Sequence, residues 1–176
     1  VGRKRRVLGI DPGTATTGYG IVEQDGNELR ALVSGVIRTD SGQPTPDRLQ
    51  VIHRKLRELA AEWQPHEAAV EELFFSKNVR TAMSVGQARG VAMLALADAG
   101  LEVAEYTPLA IKQAVTGYGS ADKSQMQDMV KMLLGLTEVP HPDDAADALA
   151  AAICHLHSVR VKSLSESSPS ELAERC

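Results

Sequence analysis

The sequence predicts an α/β protein with a mixed five-stranded sheet, three antiparallel strands followed by α/β crossovers, and helices on both faces. Three observations carry this reading. Three β-type runs before residue 40 are separated only by short turn signals, which pairs neighbouring strands antiparallel. Two later apolar runs, Ala68–Leu73 and Val103–Tyr106, each follow a helix-length segment, the order of a crossover. Between them and around them, apolar residues recur at spacings of three and four, the period of a helix with one buried face.

Val7–Ile10 is a short apolar run stopped by Asp11-Pro12-Gly13, a strand ending in a turn. Thr17–Glu23 has β-type composition, Gln24-Asp25-Gly26-Asn27 signals a hairpin, and Leu29–Arg38 is the third strand. Thr45-Pro46 opens a helix with a hydroxyl at the N-cap and proline at the first helical position. Leu49, Ile52, Leu56, Leu59 and Trp63 stripe that helix until Pro65 stops it. The fourth strand, Ala68–Leu73, lies inside the sheet because a crossover helix precedes it. Asn78 caps a long helix that reaches Ala99, with Gly100 as its stop. Its many alanines permit close helix–helix approach, in a core or a dimer interface. Thr107-Pro108 opens a short helix, Gly117 and Gly119 mark a loop, Lys123–Leu134 is helical, and Asp143–His157 is the last helix. From Ser158 onward the serine-rich sequence has little to bury. The expected organisation is one domain, residues 1–157, and a disordered polar tail, 158–176.

Composition limits the functional classes. No apolar run approaches the roughly 20 residues of a bilayer span, and the basic Arg3-Lys4-Arg5-Arg6 start leads into a strand and not a signal sequence. With only Cys154 and Cys176, a disulfide framework is not expected and a reducing cytoplasmic setting fits. The net charge of −4 argues against a nucleic-acid binder unless the acids gather where a cation neutralises them. Basic residues do cluster locally, as Lys77/Arg80/Arg89 and Lys112/Lys123/Lys131.

The acids are the informative residues. Asp11 ends the first strand, where open α/β sheets place ligands; it serves equally as the turn residue before Pro-Gly. Glu71 and Glu72 end the fourth strand and, because strand side chains alternate, cannot both face one site. Asp144 and Asp147 lie three apart on nearly one side of the last helix, although acids there also favour the helix N-terminal dipole. Four acids on three elements at one sheet edge would repel one another unless cations joined them. A pair of divalent ions about 4 Å apart would do so and would activate water for phosphodiester hydrolysis. Oxygen donors suit Mg²⁺ or Mn²⁺. No His or Cys grouping has zinc spacing, and His155 and His157 face different ways on their helix.

Several motifs in order then become informative together. Val7-Leu8-Gly9-Ile10-Asp11-Pro12-Gly13-Thr14 with Gly18-Tyr19-Gly20, Val70-Glu71-Glu72-Leu73-Phe74-Phe75, Gly86-Gln87-Ala88-Arg89-Gly90, Gly119-Ser120-Ala121-Asp122-Lys123-Ser124 and Asp144-Ala145-Ala146-Asp147-Ala148-Leu149-Ala150 resemble the Holliday junction resolvase RuvC family across residues 6–157. The resemblance implies an RNase H-like fold, a homodimer, and paired nicks in opposing strands of a four-way DNA junction during recombination and repair. It carries the metal-binding catalytic acids onto Asp11, Glu71, Asp144 and Asp147, choosing Glu71 over Glu72 by its spacing to Phe74. It implies two Mg²⁺ ions per active site, with Mn²⁺ substituting, and a branch-migration motor of RuvA and RuvB as partner. Lys112 and Lys123 fall near the scissile phosphate, Phe74 at the bases opened at the junction centre, and Lys77 and Arg80 at phosphates. His141 is a neighbour of Asp144, and the basic start and the tail carry no family motif.

Three rivals stand beside this reading: a related nuclease acting on structured RNA or other branched DNA, an actin-like ATPase sharing the Asp-Pro-Gly-Thr turn, and a non-catalytic junction binder. The ATPase would need a second half that this length does not supply, and the binder would not need convergent acids.

Overall fold

The computed structural model describes residues 4–72 and 79–166, apart from the side chains of residues 80 and 162–166. The chain runs β1 (Arg5–Asp11), β2 (Thr16–Asp25), β3 (Glu28–Arg38), α1 (Thr45–Trp63), β4 (Glu67–Glu71), α2 (Val79–Asp98), β5 (Glu102–Tyr106), α3 (Pro108–Thr116), α4 (Lys123–Leu133) and α5 (Asp143–Glu166). The sheet order is β3-β2-β1-β4-β5. The first three strands are antiparallel, and β4 and β5 add on parallel, the mixed sheet expected from the run of turns and crossovers.

Alternation along the strands divides the interior in two. Leu8, Ile10, Ala68 and Val70 point to one face, where Ile52 and Leu56 of α1 and Ala92, Ala95 and Leu96 of α2 cover them. Val7, Val22 and Ala69 point to the other, under Leu149, Ile153 and Leu156 of α5, with α3 and α4 closing the edge. Each of these large aliphatic side chains contributes roughly 1.5–3 kcal/mol by leaving water.

Several local expectations are corrected. Thr45 is not the N-cap of α1: Pro44 holds that position without a side-chain cap bond, and Pro46 lies within the first turn. The helix ends at Trp63 because Gln64 turns to φ 47°, away from the helical region that a residue before proline disfavours. Helix α4 has an N-cap that the sequence reading did not name, a reciprocal box in which Asp122 and Gln125 satisfy each other's backbone N–H groups. The largest revision is at the C-terminal end. Helix α5 does not stop at His157 but continues to Glu166, and Ser158 is tied into it by donating to the Cys154 carbonyl. Polarity in the last turns did not mean loss of helix. Asn78, the expected cap of α2, lies outside the described residues, as do Cys176 and Arg3. Cys154 is buried, its thiol pushed up to about 11 by burial.

The basic start is also not a free arm. Lys4 and Arg6 both hold Glu23, at 3.3 Å and 2.8 Å, and Arg6 donates to the Trp63 carbonyl as well.

Candidate active site

The site is built by the closeness of α5 to the sheet. Gly9 and Gly20 face each other across β1 and β2, and Asp11 faces Gly18. A Cβ on Gly9 would overlap the Ala148 carbonyl, and one on Gly18 the Asp144 carbonyl. Glycine therefore lets the helix backbone rest directly on the strands, which puts the first turns of α5 above the end of β1. Asp144 and Asp147 arrive there from the helix. Asp11 arrives from the strand, on the same face as Gly9.

Glu71 completes the group from β4. The parallel register pairs Ile10 with Val70, so the next residues, Asp11 and Glu71, end their strands side by side. Ala69 belongs to the α5 face, and two residues further Glu71 faces the same way, whereas Glu72 is exposed.

The electrostatics follow from this convergence. Burial, then the charges of Glu71, Asp147 and Asp144, push the Asp11 carboxyl up to about 8, and Asp11 shares a hydrogen bond with Glu71. Burial and Asp147 raise Glu71 too, against the opposing pull of that hydrogen bond and of Lys112. Asp147 is raised by burial, with Lys123 acting against it. Asp143 differs although it is next in sequence: Lys123, at 2.7 Å, and Gln127 hold its carboxyl below the usual range. It is an exposed ion-pair partner outside the acid group.

Both lysines singled out from the sequence meet the acids. Lys112 on α3 and Lys123 at the start of α4 line, with Glu71 and Asp147, a cavity of about 260 Å³ floored by Ile111 and Met126. Lys131 sits in the last turn of α4 instead. Arg89 is paired with Glu105. His141 is exposed on the loop before α5. Phe74 and Lys77 lie outside the described residues, and so does the side chain of Arg80.

The donors fit a hard divalent cation: every one is a carboxylate oxygen, and Asp11 is costly to ionise without added positive charge. Among the described residues no three such side chains are already drawn into a closed ligand shell; the acids are within Coulomb range of one another, and Glu71 and Asp147 open to the cavity.

Sequence reasoning missed two supports. The turn after Asp11 is braced by hydroxyls: Thr17 donates to the Gly13 carbonyl at 2.6 Å, and Thr14 donates to the Ser84 carbonyl of α2 at 2.6 Å. The density of threonine at positions 14, 16 and 17 was the available signal. The second is His155, which is not incidental: it is buried, with Nδ1 at 2.9 Å from the Tyr106 hydroxyl and Nε2 at 2.8 Å from Glu67. Nothing in a lone histidine on a helix gives its partners away.

The chain is similar to known proteins over most of its length. The family model described as crossover junction endodeoxyribonuclease RuvC matches residues 7–155. A crossover junction endodeoxyribonuclease RuvC of Chloroflexus aggregans is 61% identical over 153 residues, spanning 87% of this chain and 93% of that relative. One of Syntrophomonas wolfei is 52% identical over 170 residues, 97% of this chain and 99% of that one. The solved structure described as Thermus thermophilus RuvC in complex with Holliday junction substrate matches with a TM-score of 0.86 at 37% identity, covering 90% of this chain and 96% of that chain.

Proposed function

The chain belongs to the RuvC family of crossover junction endodeoxyribonucleases, and from that premise we propose that Asp11, Glu71, Asp144 and Asp147 hold the divalent cations with which it cuts. It is a structure-selective endonuclease that hydrolyses phosphodiesters of four-way DNA junctions in recombination and repair, with an RNase H-like fold and a divalent metal. The observation that carries the site assignment is geometric: Asp11 and Glu71 end neighbouring parallel strands where the backbone of α5, bearing Asp144 and Asp147, rests on Gly18, and Asp11 is half-buried beside the other three acids.

A pair of Mg²⁺ ions, or Mn²⁺ in their place, would supply a Lewis acid for the phosphate and bring the pKa of water toward neutrality. The chain's own residues do the rest. Asp11 and Glu71, which share a hydrogen bond, would hold the cations from the ends of β1 and β4. Asp144 and Asp147 close the group from the helix. Lys123, kept protonated by Asp143, and Lys112 direct ammonium charge at the rim of the cavity, where charge develops on the phosphate in the transition state. Apolar Ile111 and Met126 keep that cavity partly dry, which strengthens each of these interactions. The product is a 5′ phosphate.

Phe74 would stack on unpaired bases, and Lys77 and Arg80 would meet phosphates. The enzyme would act as a homodimer through α2, which exposes Val79, Met83 and Leu94. It would work in the cytoplasm with the RuvA and RuvB motor; no helix among the described residues is long and apolar enough to cross a membrane.

The test is cleavage of a four-way junction in Mg²⁺ beside duplex, flap and RNA–DNA hybrid of the same sequence. Paired nicks confined to the junction, lost in Asp11→Asn while binding persists, are expected. Equal cutting of the duplex, or activity surviving in Asp11→Asn, would refute the assignment.

A further inference from the structure

A second cleft meets the acids at the β1–β2 turn. It has a volume of about 550 Å³ and is lined by Gly13, Thr14, Thr16, Arg48, Ser84 and, at its inner end, Asp144. The cavity holding Lys112 and Lys123 approaches the acids from β4 and α3, whereas this one approaches from the turn and from α1 and α2. The acid group thus lies between two clefts, one holding Lys112 and Lys123 and the other Arg48.

Arg48 is held for use. Its Nε donates to the Thr39 hydroxyl at 2.8 Å, and Thr39 donates to the Thr14 carbonyl at 2.6 Å. The Thr14 hydroxyl is in turn fastened to Ser84. That chain fixes the guanidinium to the same turn that carries Asp11, yet it uses only one of the group's five N–H donors. The ion pairs formed by Lys4, Arg5, Arg6, Arg30, Arg54, Lys55, Arg57, Arg89 and Lys123 leave Arg48 without a carboxylate among the described residues. A half-buried, braced guanidinium with spare donors suits a phosphate, which it can meet with two parallel bonds. Phosphates of one strand repeat roughly every 3.4 Å along a helix axis, so a strand with one phosphate at the acids must place neighbours in both directions.

We infer that this cleft seats a backbone phosphate of the cleaved strand next to the scissile one, with Arg48 as its cation and the 13–16 turn as its wall. The inference rests on the nuclease reading above and assigns the strand's path across the site, from the cavity of Lys112 and Lys123 past the acids to Arg48.

The experiment uses four-way junctions bearing a single uncharged methylphosphonate at each position flanking the cut, with single-turnover cutting in Mg²⁺ by the full chain and by Arg48→Ala. One flanking position is expected to slow the unaltered protein by roughly ten- to a hundredfold, the range of one charge-assisted hydrogen bond. Arg48→Ala should slow the unmodified junction by that same factor and lose nothing more at that position, and the salt dependence of its binding should fall by about one phosphate contact. Losses that multiply at every position would overturn the inference, since they describe a residue that only braces the turn. Thr39→Val removes the hydrogen-bond partner and keeps the guanidinium. If it retains the unaltered protein's methylphosphonate profile the inference stands, and if it reproduces the Arg48→Ala pattern the inference fails. An unaltered protein that leaves the unmodified junction whole would sink the nuclease reading itself; one that cuts but shows no Arg48 coupling sinks only the phosphate seat.

Discussion

Strand β4 carries two glutamates on one face, and the protein treats them in opposite ways. Glu67 and Glu71 both point toward α5, four residues apart. Glu67 meets His155 at 2.8 Å, with Arg5 at 3.9 Å, so its charge is answered inside the fold. Glu71 meets Asp11 and Asp147, and its carboxyl is raised by burial and by that company. Burial is common to both positions. On the proposed reading, what separates the two carboxylates is whether the fold supplies the counter-charge, as at Glu67, or leaves it to a cation from solution, as at Glu71.

The strongest way to break this comparison is to neutralise each end in turn. Asp11→Asn, Glu71→Gln and Asp147→Asn should each lower junction cutting by about a thousandfold or more, the scale of losing transition-state charge stabilisation. Junction binding by gel shift should stay within a few-fold. Glu67→Gln should cut within about threefold of the unaltered protein, because its partner is His155 and not the phosphate. A Glu67→Gln enzyme as dead as Glu71→Gln would show that the two ends act as one.

Next in size is the contact that creates the acid group. Gly18→Ala forces a methyl against the Asp144 carbonyl, which is helix backbone and cannot turn aside. Overpacking of this kind costs about 1–3 kcal/mol or more, and it also lifts Asp144 from Asp11, so urea unfolding and cutting should both suffer. Gly26→Ala is the control: it sits at φ 62° in the hairpin turn with open space around it, and should cost stability while leaving cutting per folded molecule intact.

The Glu67 end predicts the converse. His155→Ala leaves Glu67 and the Tyr106 hydroxyl short of a partner, which costs about 1–3 kcal/mol for buried polar groups. Urea midpoints should fall, with kcat nearly unchanged. A fall in kcat without loss of stability would mean that this cluster communicates with the acids along α5.

These contrasts also explain what the sequence made legible. Alternation sufficed to show that Glu71 and Glu72 face opposite ways, although only the resemblance chose between them, and the run of turns followed by crossovers sufficed for the sheet, because both are local or periodic signals. The convergence of Asp11, Glu71, Asp144 and Asp147 was legible only through several motifs taken together. The roles of Gly9, Gly18 and His155 were not legible, since each is defined by what a distant segment brings against it. The end of α5 was misplaced for a related reason: serine and charge mark exposure, and an exposed helix keeps its hydrogen bonds when its upstream turns are buried, as Leu149, Ile153 and Leu156 are.

The last effect concerns pH, and its sign tests the comparison directly. In metal-free protein the Asp11 carboxyl titrates near 8, against 3.8 ordinarily. Between those values the folded chain keeps a proton that the unfolded chain has released. Stability therefore falls as pH rises through that window, is fullest below it, and has lost this contribution above about 8. Water entering the cluster takes up much of the cost, so the decline should be on the order of 2 kcal/mol. Asp11→Asn has no such proton to lose and should make the decline shallower, leaving the variant more stable than the parent at pH 8 in EDTA. Saturating Mg²⁺ should reverse the order, because a ligand that binds only the folded parent adds stability by mass action. A parent that gains stability toward pH 8 in EDTA would mean that the fold, and not a cation, already answers the charge of Asp11, and the distinction between the two ends of β4 would be lost.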